Sequence, residues 1–188
     1  MVRSRERSKR PYSPAEISGF LALADAQPAM ERRMRAAGLV CLGAGAGLIR
    51  GDLREVRGTD VASRSGGVIV IVRGARPRMV PVLARYHARL LAAAASAGDA
   101  LVCGGAGPGR RNITNPLITA LDGGTGLPRL DTSRLRATWL AEVAELLGLA
   151  TFMAAAGISC SQRPGDLVAG LEPAGEAGAV RLLGARRP

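Results

Sequence analysis

The chain has 188 residues, enough for one domain with loose ends, and its 47% apolar content can bury a sizeable core. Its formal net charge is +11, and of its 26 basic residues only Lys9 is lysine. That charge favours polyanionic partners, nucleic acid before an anionic membrane, and no apolar run is long enough to span a bilayer.

Coding bias in a GC-rich genome accounts for part of the Arg excess, but not for the net charge. Cys41, Cys103 and Cys160 are scattered and odd in number, and His87 is the only histidine. No spacing among them suits zinc, so neither a metal nor a cofactor is expected. Three inert buried thiols in a reducing, cytoplasmic compartment fit this usage best. The basic N-terminus has no apolar stretch behind it, so no signal peptide is expected.

Residues 1–11 read as a disordered basic arm, suited either to lie on nucleic acid or to stay solvated. Ser13, Pro14 and Glu16 form a capping box that starts a helix, with Ile17, Phe20, Leu21 and Leu23 inward and Pro28 ending it. A second helix is predicted from about Ala29 to Gly43, followed by the glycine run Gly43, Gly45 and Gly47. A short helix is expected from Arg50 to Val56. Residues 68–72 and 78–82 read as two strands joined by a hairpin turn at Arg73 to Pro77, with Pro81 confined to a strand end or edge.

An Ala/Leu helix is predicted over 83–97, with His87 on its surface or satisfied. A Gly/Pro/Arg loop follows at 103–111, in which Arg110, Arg111 and Asn112 suit either filler or a nucleic-acid contact. A helix over 112–122, a loop over 123–129 and a helix over 133–148 come next. Asp131 or Thr132 can cap the last of these, with Leu135, Trp139, Val143 and Leu146 inward. Shorter helices are expected at about 150–156 and 164–171. The domain plan is an arm over 1–11, one fold over 12–172 and a flexible tail over 173–188. The fold class is mainly α with a small antiparallel β-sheet.

Several of these pieces together resemble the catalytic domain of tyrosine recombinases, the phage integrase family. The helix start Tyr12-Ser13-Pro14-Ala15-Glu16 is similar to that family's opening. Gly47-Leu48-Ile49-Arg50-Gly51-Asp52-Leu53, with Val56 and Asp60-Val61 behind, resembles its first arginine segment. Val70 to Val82 resembles its strand-turn-strand unit. Ser133-Arg134-Leu135-Arg136 resembles its His-x-Leu-Arg helix start, and Ala156-Gly157-Ile158 its following corner. The order is preserved along the chain.

The resemblance implies a site in which two Arg forks stabilise charge growing on a DNA phosphate, at a few kcal/mol per well-placed donor. In the family a hairpin lysine protonates the leaving oxygen, and a tyrosine becomes covalently linked to DNA. This chain departs from the set. The first Arg position falls on Ile49, with Arg50 one residue late, a rotation of about 100° on a helix. Arg73 replaces the lysine and cannot serve as a general acid near neutral pH. The histidine positions fall on Ser133 and Ile158, while the second Arg is kept as Arg136. The nucleophile should fall near Leu167, yet no tyrosine follows Tyr86. Ser161 lies close to that point but would need a base. No counterpart of the family's separate N-terminal DNA-clamping domain is expected within these residues.

The expected function is therefore a catalytically inactive, integrase-like DNA-binding protein, a transcriptional regulator or recombination accessory factor associated with the nucleoid. The candidate DNA-binding residues are Arg50, Arg73, Arg76, Arg78, Ser133, Arg134 and Arg136, with double-stranded DNA as partner and no catalytic residue. Arg73, Arg76 and Arg78 are expected to form one basic hairpin tip. Arg136 suits either a phosphate or an ion pair with Glu55 or Asp52. A homodimer or a second DNA-binding protein is a further partner this reading allows. Two alternatives remain open: a protein-interaction module without DNA binding, and an NADP-type dinucleotide-binding protein. The last would make Gly43 to Gly47 a turn between strand and helix and residues 68–72 its second strand.

Overall fold

In the computed structural model the described residues are 10–64, 66–74, 76–104, 112–122 and 126–147, with side chains up to 143. Helix α1 spans Pro14–Asp25. Its capping box forms as the sequence predicts: Glu16 N donates to Ser13 Oγ at 3.2 Å, and Ser13 N donates to Glu16 Oε2 at 2.6 Å. Ile17, Phe20 and Ala24 face the core. Helix α2, Met30–Val40, packs on α1 and buries its C-terminal half.

The glycine run is a correction. Helical winding does not stop at Gly43; Cys41–Gly45 continue α2 as a π-helical turn, fully buried. The reason is close packing. A Cβ at Gly43 would sit 2.7 Å from Leu135, and one at Gly45 2.8 Å from Tyr86. Glycine lets two large side chains lie directly on this turn. At Gly47 the chain adopts φ +62 and turns away, leading to the short helix α3, Arg50–Leu53.

A three-stranded antiparallel sheet follows, ordered β1 (Val61–Arg64), β2 (Gly67–Val72), β3 (Arg78–Pro81). Strand β1 was not expected from the sequence. It carries a single buried apolar residue, Val61, and so lacks the alternation that marked β2. Register pairs Val70 with Val80 and Val72 with Arg78. Side chains alternate across a sheet, so Arg78 shares the inner face with these valines while Met79 points out, 44% exposed. Pro81 ends the edge strand β3, as its missing N–H requires.

The Ala/Leu helix begins later than expected. Ala84–Tyr86 form a 3-10 turn and α4 spans His87–Ala97. His87 Nε2 lies 2.9 Å from Val82 O, a satisfied residue at the helix start. Helix α5 is short, Asn115–Ala120, and α6 spans Thr132–Leu147. Asp131 caps α6, its Oδ1 accepting from Ser133 N at 2.8 Å.

The core contains Trp139, Tyr86, Phe20 and Leu135, all close to fully buried, with Cys41 and Cys103. The chain is mainly helical with a small antiparallel sheet, the class its sequence predicts. Among the described residues no helix is long and apolar enough to cross a membrane. The expected basic arm up to residue 9, the helices after 148, Cys160, Ser161, the stretch near Leu167 and the tail lie outside the described residues.

Candidate nucleic-acid interface

Two buried carboxylates organise the basic residues. Asp52 sits at the third position of the short helix α3. Its Oδ2 accepts the backbone N–H of Ile49 at 3.3 Å and Arg78 Nη2 at 2.7 Å. Asp60 repeats the arrangement in the 3-10 turn Gly58–Asp60. Its Oδ2 accepts Arg57 N at 3.0 Å and its Oδ1 accepts Arg73 Nε at 2.6 Å. Each carboxylate closes a short helical turn and also holds one arginine of the β2–β3 hairpin.

The hairpin arginines therefore do not form one solvent-facing tip, which corrects the sequence expectation. Arg78 is turned into the fold and its side chain is only 10% exposed. Arg73 stays 68% exposed while anchored to Asp60. Arg76 is exposed, and its carbonyl accepts a 3.0 Å bond from Arg78 Nη1. The Glu55 carboxylate lies close beside them, 2.2 Å from where a Cβ at Gly74 would sit.

Arg136 joins this group from α6. Its Nη1 donates to Gly47 O, the carbonyl of the left-handed residue that turns the chain into α3. Burial lowers its pKa; the nearby Arg78 and Arg76 guanidinium groups push the same way, and Asp52 opposes them. An arginine stays charged under such pressure. Arg78 and Arg76 thus add positive charge beside Arg136, and Asp52, which holds Arg78, offsets part of it. Of the two partners considered for Arg136, Asp52 is electrostatically coupled to it and Glu55 lies against Gly74.

Arg50 and Arg134 stand apart from this group. Arg50 reaches Asn115 Oδ1 on α5. Ile49, at the position where the resemblance places an arginine, is 41% exposed. Arg134 is drawn inward: its Nε donates to Arg10 O at 2.8 Å and its guanidinium lies 3.8 Å over the Tyr12 ring. Ser133 is exposed and its backbone N–H is taken by Asp131. Arg50 and Arg134 line a separate cleft of about 490 Å³ together with Arg129. Sequence reasoning assigns no site role to Arg129 or to Asp60; the repeated turn-closing aspartate was the available signal for the latter.

Both tyrosines serve the core. Tyr12 is 3% exposed, and its hydroxyl donates to Arg129 O and accepts from Asp131 N, each at 2.8 Å. Tyr86 is 1% exposed, its ring packs on Gly45, and burial raises the pKa of its phenol. The segment before the glycine run is helical, and β2 lies antiparallel between β1 and β3. The strand-turn-helix unit of a dinucleotide-binding reading does not form there.

The architecture is an α+β fold of the tyrosine-recombinase type. Among solved structures the chain is similar to one described as the crystal structure of XerA recombinase, with a TM-score of 0.64 and 16% sequence identity. The match covers 100% of this chain and 62% of that one, and at this identity the likeness is one of fold. No protein-family model and no curated protein sequence matches the chain.

Proposed function

We propose that the chain is an integrase-like protein that holds duplex DNA by its phosphates and does not cut it, acting in transcriptional regulation or as an accessory to recombination. The observation that carries this reading is the gathering of Arg78 and Arg76 beside Arg136, with Arg136 half-buried and its charge retained. Guanidinium forks match phosphate geometry in two-point contacts, and a partly dry setting strengthens them. The net charge of +11 adds long-range attraction to the same polyanion.

The same residues argue against cleavage. Where the resemblance expects an arginine, a lysine and a histidine, the chain has Ile49, Arg73 and Ser133. Arg73 is tied to Asp60 and cannot release a proton to a leaving oxygen. Tyr12 and Tyr86 are both committed to the core, and no later tyrosine exists in the sequence.

Fluorescence anisotropy with a labelled duplex tests the binding half. Affinity should fall with salt at a log–log slope of about −0.9 per phosphate contact, roughly 40-fold between about 50 and 200 mM for three contacts. Absence of binding at low salt would sink this reading. Incubation with a nicked suicide duplex tests the other half. No covalent protein–DNA species should form; an adduct would overturn the claim of inertness, and its mass would locate the nucleophile.

A further inference from the structure

The cleft between the start of α3, helix α5 and the residues leading into α6 is not used by the reading above. It encloses about 490 Å³ and is lined by Arg50, Asn115, Thr119, Arg129, Asp131 and Arg134 among others. That volume falls within the range of about 300–1,000 Å³ typical of small-molecule sites. Arg50 and Asp52 are two positions apart on α3, so their side chains diverge by about 200°. Asp52 serves the Arg136 group, and Arg50 serves the cleft.

The three guanidinium groups of the cleft differ in their commitments. Arg134 is held by Arg10 O and the Tyr12 ring, so it supplies field rather than a free fork. Arg50 bonds the neutral side-chain carbonyl of Asn115. A charged acceptor makes a stronger bond than a neutral amide does, so an anion can displace that contact. Arg129 faces Asp122 at 3.4 Å, in a pair whose side chains are 81% and 39% exposed. Solvent screens such a pair, and it yields readily to a better partner. Asp131 is the carboxylate in the wall, and it is already engaged in capping Ser133 N. The α6 terminus is thereby used internally, and the donors left to a ligand are Arg50, Arg129, Asn115 and Thr119.

We propose that this cleft is a phosphate-binding site separate from the Arg136 group, taking a phosphate mono- or diester between Arg50 and Arg129. The phosphate comes either from a free nucleotide or from the backbone of a bound nucleic acid. Calorimetric titration with deoxyadenosine monophosphate and with inorganic phosphate, beside anisotropy with a duplex, decides the matter. Wild type is compared with the double variant Arg50→Gln/Arg129→Gln and with the control Arg32→Gln, an exposed residue elsewhere on α2. Circular dichroism verifies that each variant is folded.

The double variant should lose at least tenfold in affinity for at least one of the three probes, and Arg32→Gln should not. Loss confined to the nucleotide and phosphate identifies a free-ligand site. Loss of duplex affinity, with the salt slope reduced by about 0.9 for each phosphate contact removed, identifies the backbone as the source. A folded double variant that loses less than tenfold on all three probes overturns the proposal, as does a wild type that binds none of them. A wild type that ignores duplex but binds the nucleotide sinks the DNA reading and leaves this site standing.

Discussion

Arg78 Nη2 donates to Asp52 Oδ2 at 2.7 Å, and the same oxygen caps the helical turn that begins at Ile49. The pair joins the β-hairpin to the short helix α3, with side chains 10% and 7% exposed. A carboxylate so enclosed stabilises through its partners and costs dearly when left alone. Removing one partner of a buried pair typically costs about 3–5 kcal/mol. Asp52→Ala should lower stability by that order in urea denaturation, since it also frees Ile49 N and sets Arg78 against Arg136. The apolar double substitution Asp52→Leu/Arg78→Met should recover much of the loss. A single variant within about 1 kcal/mol of wild type would show that the pair does not fasten the hairpin.

Arg134 tests the difference between a DNA ligand and a structural clamp. It stacks on Tyr12 and bonds Arg10 O, and its side chain is only 18% exposed. Arg134→Ala should destabilise by about 1–3 kcal/mol, the sum of a stacked cation and a charge-assisted bond. Arg134→Lys should restore little, because an ammonium lacks the planar face. The salt slope of DNA binding should stay unchanged in both variants. A slope reduced by about 1 with stability intact would identify Arg134 as a phosphate contact.

Gly47 links the packing of α6 to the position of Arg136. Its φ is +62, a Cβ there would lie 2.3 Å from Trp139, and its carbonyl accepts from Arg136. Gly47→Ala combines left-handed strain with overpacking, together roughly 2–5 kcal/mol. Thermal melting of the variant should show a drop of many degrees, and DNA affinity should fall with it as Arg136 loses its support. A melting temperature near that of wild type would mean that the turn and Trp139 adjust freely.

These cases mark what the sequence reveals and what it hides. The capping box at Ser13, the β2–β3 hairpin, the inward Trp139 and the separation of Arg50 from Arg136 all follow from spacing and side-chain chemistry. Strand β1 escaped because Val61 is its one buried apolar residue. The π-helical turn escaped because glycines usually signal a break, and here they permit close contact with Leu135 and Tyr86. The hairpin arginines look alike in sequence. The β2–β3 register and the tertiary positions of Asp52 and Asp60 together decide that Arg78 turns inward and Arg73 stays at the surface.

The buried thiols give a pH-dependent prediction. Burial pushes Cys41 and Cys103 each up to about 12, from an ordinary value near 9. A raised thiol pKa means that the folded chain keeps its proton between those values while the unfolded chain releases it. Stability from these groups is therefore present below pH 9 and falls as pH rises from about 9 towards 12. At pH 8 iodoacetamide should leave both residues unmodified in native protein and alkylate both in urea, as read by peptide mass mapping. Rapid alkylation of either in the native state would contradict their enclosure.

The claim that the Arg136 group grips DNA phosphate is tested most directly by the salt dependence of duplex affinity in wild type and in Arg136→Gln and Arg76→Gln. Log affinity should fall linearly with log salt, and each folded variant should show a slope shallower by about 0.9 with affinity reduced across unrelated sequences. Slopes identical to wild type in both variants, or a wild type that fails to bind duplex at about 50 mM salt, would contradict it.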